Sequence, residues 1–444
     1  MELNEYINKL FAAAKEAGFE ACECRYSTDE NMEISVFSGE IDEYSLASGI
    51  SLSLRGLYNG RMGRASTRVL DETSIGWLVE SAKSSAELID NDDKEFLFPG
   101  SDHYAEVDGF STEVENMTAR EKIDAALRLE KETLASDSRI KRVQGCAVIS
   151  QSGETRLVNT LGLDVSFKSN VLGAYVAPIA EADGDTASGS AIHFGHDKSI
   201  LDTAAIAAEA SRETVSSLGA HPCASGTYKI LLRHDVMSDI LETFAGMFSA
   251  DAAQHGLSLL KEREGDKIAA DIVTIIDDPL LKGGMASAPF DSEGVATYTK
   301  SVVENGVFKT FLHNLKTAYK QGVTTTGNAS GSTVAPSNFF IKPGETSFDD
   351  LVANVGDGLL ITNVMGLHSG ANAVSGDFSL GASGFMIEGG KIGRPVKGIT
   401  VAGNFLKLLC DVTELGSDLW FGMPGSSCVG APSAIVSALS VAGE

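Results

Sequence analysis

The apolar positions change period several times along the chain, and the changes outline its elements. Over residues 2–17, Leu3, Tyr6, Ile7, Leu10, Phe11 and Ala14 recur at helical spacing, and Gly18 stands where a helix stops. Strand-like segments follow around 20–27, 31–37, 42–55 and 61–68, separated by Gly39, Gly56 and the Asn59-Gly60 turn pair. Ile75, Leu78, Val79, Ala82, Ala86 and Ile89 predict a helix over 72–90. Thr118-x-x-Glu121 predicts the start of another over 119–136, because each side chain can satisfy the other residue's free N–H. Residues 139–180 read as a meander of strands turning at Ser152-Gly153 and Gly162, and 201–218 as an alanine-rich helix ending at Gly219.

His221-Pro222 to Gly226 reads as a boundary. Past it the pattern gives a strand at 228–232, a helix over about 235–248 and then short strands broken by glycines, with Gly389-Gly390 as a hairpin turn. Of the 46 glycines, 17 precede residue 223 and 29 follow, while prolines number only 10. Glycine without proline points to turns and close backbone approaches in a β-rich structure, not to a disordered linker. The expected fold class is therefore α+β with two domains: a mixed α/β N-terminal half, 1–222, and a glycine-rich, β-dominated C-terminal half, 223–444. A length of 444 residues suits two cores better than one.

Composition narrows the partners. Lys and Arg number 35 against 61 Asp and Glu, so the net charge is 35 − 61 = −26. Nucleic acid and anionic membrane surfaces are recognised through clustered positive charge, so both are disfavoured. The acids are dispersed, with only short runs such as 90–93, which counts against an acidic regulator that acts on a DNA enzyme by mimicking DNA. No apolar stretch approaches the roughly 18–20 residues of a spanning helix, and the start lacks a signal-peptide pattern, so a cytoplasmic location is expected. Six scattered cysteines (22, 24, 146, 223, 410, 428) form neither a disulfide framework nor a CxxC pair and read as reduced, packed thiols.

Three long segments and one short one, in order, carry a family signature: Ile276–Val295 (IDDPLLKGGMASAPFDSEGV), Val303–Ala318 (VENGVFKTFLHNLKTA), the short Thr326-Gly327-Asn328, and Gly366–Ile392 (GLHSGANAVSGDFSLGASGFMIEGGKI). Together they resemble the TldD/PmbA family of bacterial proteins, also called modulators of DNA gyrase, which form a zinc metalloprotease system. The resemblance spans the C-terminal half and touches the first half at Gly60–Thr67. It implies two branches. In the TldD branch a His-Glu-x-x-x-His helix and a cysteine near the C-terminus hold zinc. The PmbA branch, also called TldE, is the partner that lacks this set, and GLHSGANAVSGDFSLGASGF is closer to it.

At the corresponding place the chain reads Arg233-His234-Asp235-Val236-Met237-Ser238-Asp239. His234 matches the first ligand, Asp235 is one methylene shorter than the glutamate, and Asp239 stands where the second histidine belongs. Five residues along a helix is ~140° of rotation, so His234 and Asp239 do not share a face. After Leu415–Leu419 comes Trp420-Phe421-Gly422 and no thiol; Cys428 falls at an apolar strand position. No metal and no cofactor are expected in this chain, and zinc is expected in a TldD-like paralogue as partner. A homodimer is possible when the chain is alone. An autonomous metallopeptidase with a divergent site around His234 is the competing reading.

Other constellations are weaker. His193-x-x-His196 with Asp197 could hold a metal, but Gly195 suits an exposed loop. Asp277-Asp278-Pro279 and Asp291-x-Glu293 place carboxylates near glycines, the pattern of turn capping. His313 and His368 sit in the family segments and could line a groove. Ser375, Gly376, Asp377, Phe378 and Ser379 open a glycine-punctuated strand that could take an extended or unfolded peptide by strand addition, or could simply be buried in the C-terminal sheet.

Overall fold

The computed structural model describes residues 2–90 and 93–444; Asn91 and Asp92 of the short acidic run lie outside the described residues. The first half is built on one antiparallel sheet of seven strands, in the order 61–67, 40–58, 21–37, 140–159, 164–182, 185–188, with 191–195 also pairing on 164–182. Side chains alternate across a strand, so each strand sorts its residues between two faces. Cys22, Cys24, Leu52 and Leu54 point to the helices Leu3–Glu16 and Glu72–Glu87. Met32, Ile34, Val36, Val148, Leu172, Ala174 and Val176 meet the helices Ala119–Ser136 and Thr203–Ser216. The capping box forms as expected: Glu121 N–H donates to Thr118 Oγ1 at 3.3 Å, and Thr118 N–H donates to Glu121 Oε2 at 2.8 Å.

The strands run longer than their alternation suggests. Residues 21–37 form one strand of 17 residues and 140–159 one of 20. Ser152-Gly153 is therefore not a turn. A Cβ on Gly153 would sit 2.6 Å from the carbonyl oxygen of Thr28 on the neighbouring strand, so glycine there permits a close crossing of two backbones. Gly39, Asn59-Gly60, Gly162 and Gly389-Gly390 all adopt positive φ at true turns.

The second half contains two larger sheets over one large apolar core. Strands 391–404, 377–388, 358–365, 226–232 and 434–442 pair in that order, and Thr400–Ala402 pairs back to Ser440–Ala442, closing the ring. The other sheet takes 307–308, 300–304, 275–277, 338–341, 428–431 and 420–421. Helix His234–Phe244 follows the ring strand Gly226–Leu232 and buries Val236, Met237, Ile240, Leu241 and Phe244, with Phe244 stacked on Phe405 at 4.7 Å. A 3-10 turn over Ala245–Phe248 ends it. The halves meet through Leu157 and Leu163 of the first against Phe290 of the second. Among the described residues no helix is long and apolar enough to cross a membrane.

Candidate functional site

His234 opens its helix beside a cleft of about 740 Å³ between the two halves, lined also by His193, Glu209, Arg212, Met285, Trp420 and Cys428. Its position is fixed from three sides. The ring Nδ1 lies 3.1 Å from Asp418 Oδ2, the backbone N–H donates to Ser433 Oγ at 3.0 Å, and the imidazole stacks on Trp420 with centroids 5.7 Å apart. Asp418 is the hub: it also accepts from Ser433 Oγ at 2.6 Å and Ser433 N–H at 3.0 Å. Burial opposes its charge, but the bonds from His234 and Ser433 prevail and hold the carboxyl below its ordinary pKa.

The two carboxylates next to His234 go elsewhere. Asp235 is gripped by Arg233, Nε to Oδ1 at 2.8 Å and Nη2 to Oδ2 at 2.6 Å, while Arg233 Nη1 reaches Glu213 at 2.7 Å. Asp239, half-buried one helical turn on, makes no side-chain hydrogen bond among the described residues. Burial, then Asp235 and Glu242, raise its pKa to about 6. Among the described residues no three His, Cys, Asp or Glu side chains converge as a metal centre requires. Cys428 is buried in strand Cys428–Ala431, where burial pushes its thiol up to about 12, the reverse of a metal-binding thiolate. The residues at the motif position thus do not fit a zinc site.

The remaining candidates disperse. His193 Nε2 meets Glu209 at 2.8 Å, and this bond raises the imidazole's pKa. His196 instead bonds the carbonyl of Asn170, so the two histidines do not act as a pair. His313 is buried at 1% exposure, with Nδ1 3.2 Å from Thr317 Oγ1 and Nε2 without a partner among the described residues. Burial lowers its pKa to about 4, so it sits neutral beneath the surface instead of lining a groove. His368 is exposed on the short helix Leu367–Gly370.

Strand Asp377–Glu388 is interior, which corrects the strand-addition expectation. One edge pairs with 391–404, Asp377, Phe378 and Ser379 facing Asn404, Gly403 and Ala402. The other pairs with 358–365 from Gly381 onward and is capped before that by the bridge from Ala371 to Phe378. Phe378 is buried, Gly376 turns with φ 77°, and Ser375 Oγ donates to Asp377 Oδ2 at 2.9 Å. Among the described residues both edges are therefore paired from Gly381 onward, which leaves no room there for a further strand.

What pattern reasoning missed lies on the seam between the halves. Glu23 accepts from Arg55 Nε at 2.5 Å and from Asn159 Nδ2 at 3.3 Å, and Arg55 Nη1 reaches toward Glu293 at 3.9 Å. Burial pushes Glu293 up to about 7, and Asp291 up to about 6 although Asp291 accepts backbone N–H bonds from Glu293, Val295 and Ala329. Clefts run along this seam: one of about 410 Å³ holds Arg25, Thr155, Ser169, Met285 and Gly425, and Thr155, Phe167, Ser169, Met285 and Gly425 continue into the next. Met285 also lines the His234 cleft, so the openings follow one another. The sequence singles out Asp291 and Glu293 only as turn-capping carboxylates, and the alternation of Glu23 and Arg25 against the inward Cys22 and Cys24 names no partner across the seam.

An antiparallel sheet flanked by helices in one half and a closed ring of strands in the other define an α+β class of fold. The chain belongs to the PmbA/TldD family: residues 22–86 match PmbA/TldA metallopeptidase domain 1, 112–218 the central domain and 225–443 the C-terminal domain. It is 29% identical over 412 residues to "Metalloprotease PmbA" of Escherichia coli O157:H7, spanning 90% of this chain and 88% of that one. The crystal structure of a Thermotoga maritima protein named for modulation of a DNA gyrase superposes with a TM-score of 0.93 at 34% identity, covering 99% of this chain and 100% of the other. TldE from Thermococcus kodakarensis shares the fold, with a TM-score of 0.89 at 21% identity over 99% and 100% of the two chains.

Proposed function

We propose that the chain is a PmbA/TldE-like subunit of a TldD/TldE-type metallopeptidase, working in the cytoplasm. It holds an extended peptide in the seam between its halves, while a zinc-bearing TldD-like paralogue performs the hydrolysis. The substrates the family resemblance implies are leader peptides of modified peptide antibiotics and small unfolded proteins. The observation that carries this reading is the use already made of the residues around His234. Asp418 holds the imidazole Nδ1 and Arg233 holds Asp235, so Asp235 is not free to act as a base and, among the described residues, no third ligand converges beside the histidine. A metal that activates water needs both. The clefts running from His234 past Met285 to Arg25 support the peptide-holding half of the proposal.

The test is a peptidase assay on an unstructured peptide with this chain alone, with the zinc-bearing paralogue alone and with both. The proposal expects no cleavage from this chain alone and a gain on mixing. Cleavage by this chain alone would establish the autonomous enzyme instead, and no gain on mixing would remove the partner role.

A further inference from the structure

The seam holds a guanidinium to which the described residues offer no hydrogen-bond partner. Arg25 lies in the strand Ala21–Phe37, on the face opposite Cys22 and Cys24, and it is partly buried. Among the described residues it makes no hydrogen bond or ion pair. Burial draws its pKa below the ordinary value. The neighbouring acid cannot compensate fully, because Glu23 directs one oxygen to Arg55 at 2.5 Å and the other to Asn159 at 3.3 Å. A desolvated cation without a partner is costly, and the structure keeps one at the wall of a cleft of about 410 Å³.

The rest of that cleft suits an anion of one charge. Its other charged wall residue, Asp291, has turned its carboxylate onto the backbone N–H groups of Glu293, Val295 and Ala329 at 2.9, 3.0 and 2.9 Å. Thr155, Ser169, Ser330 and Ser426 line the space with hydroxyls that make no hydrogen bond among the described residues. A planar guanidinium with free donors matches a carboxylate in a two-pronged pair, and adjacent hydroxyls can donate to the same oxygens. A dianionic phosphate or a nucleic-acid backbone calls for several cations, and among the described residues Arg25 is the one cation lining this cleft.

We propose that Arg25, with the hydroxyls of Thr155 and Ser169, forms a carboxylate-binding subsite in the seam, taking an acidic side chain or the free C-terminus of an extended peptide. The subsite rests on the reading of the chain as a peptide-holding subunit and gives that reading a substrate preference: the held peptide presents a carboxylate to the first half of the molecule. Arg25 is a binding residue here and has no part in bond cleavage.

The experiment uses the full chain and fluorescence anisotropy of a labelled, unstructured peptide carrying one glutamate and a free C-terminus. Three companions are the C-terminal amide, the Glu→Gln peptide, and the peptide with both changes. Removing both carboxylates should weaken binding to the unaltered protein by about tenfold or more, and whichever single change reproduces the loss identifies the source of the carboxylate. Arg25→Gln should bind all four peptides equally and weakly, and Arg25→Lys should recover part of the difference. Because the peptide series is read on the unaltered protein, a folding defect in a variant does not blunt the test. Equal binding of all four peptides by the unaltered protein, or parental affinity in Arg25→Gln, overturns the subsite and leaves the peptide-holding reading intact. Absence of binding by every peptide overturns that reading and the subsite with it.

Discussion

Two polar groups in the C-terminal half are built in opposite ways. Around Asp277 every charge is matched. Its Oδ1 accepts from Ser337 N–H and Ser337 Oγ, both at 2.7 Å, and its Oδ2 accepts from Lys300 Nζ at 3.0 Å and Asn328 Nδ2 at 2.7 Å. Lys300 also donates to Asn328 Oδ1 at 3.1 Å and lies over the Tyr298 ring, and Asp277 is wholly buried. Around His234 the histidine is tied to Asp418, but Asp235 is withdrawn by Arg233 and the half-buried Asp239 has no side-chain bond of its own among the described residues. The family segments contribute to the matched group through Asp277 and Asn328, yet that group is structural. It ties strands 275–277 and 300–304 to Asn328 and Ser337, and both Asp277 oxygens are taken up by these bonds. The incomplete group occupies the place where a metal would be expected. A shared motif therefore marks a shared scaffold, and the chemistry has to be read separately from which atoms remain free.

The comparison breaks first at Asp277. Asp277→Ala leaves the buried Lys300 ammonium without its counter-ion and should cost about 3–5 kcal/mol in urea denaturation. A loss no larger than that of His234→Ala would show that the network is dispensable and the contrast false. Glu293, on the seam, gives the next effect. Its folded pKa of about 7 lies above the ~4.3 of an unfolded chain, so the native state holds the extra proton between those values. Stability from this group is therefore full below the unfolded value and lost as pH rises through about 7. Glu293→Gln should flatten that slope, the difference between variant and parent changing by about 1–3 kcal/mol from pH 4.5 to 8. A parallel pair of pH profiles would contradict it.

Smaller still is Asp418→Ala, which frees His234 and both groups of Ser433 at a partly open site and should cost about 1–2 kcal/mol in the same denaturation series. His234→Ala should cost about 1 kcal/mol or less, since the ring is partly solvated and only its Nδ1 bond and its stacking on Trp420 are lost. If His234→Ala proved the costlier of the two, Asp418 would not be the hub.

Much of the fold was legible along the chain because helices announce themselves locally. The helix over 119–136 follows from its capping box and apolar spacing, and the structure gives Ala119–Ser136. Strand lengths were less legible, because a glycine inside a long strand looks like a turn residue. Gly153 and Gly56 are both interior, allowing close approach of Thr28 and Phe19 from elsewhere in the sequence, which no local pattern reveals. The turn-capping reading was right for Asp291 and for Asp278, whose Oδ1 accepts from Leu280 N–H at 3.0 Å. It was wrong for Asp277, since its ion-pair partner Lys300 is distant in sequence. The same limit hid Arg25. A cation on a strand face is ordinary until the opposite half closes over it and no acid among the described residues bonds to it.

The central claim is that the residues at the metal-motif position of this chain do not form a metal centre. Zinc content measured on the purified full chain, after equilibration with zinc and removal of loosely bound ion, tests it most directly. The account predicts much less than one zinc per chain and the same value in His234→Ala. One zinc per chain in the parent, lost in His234→Ala, would contradict it.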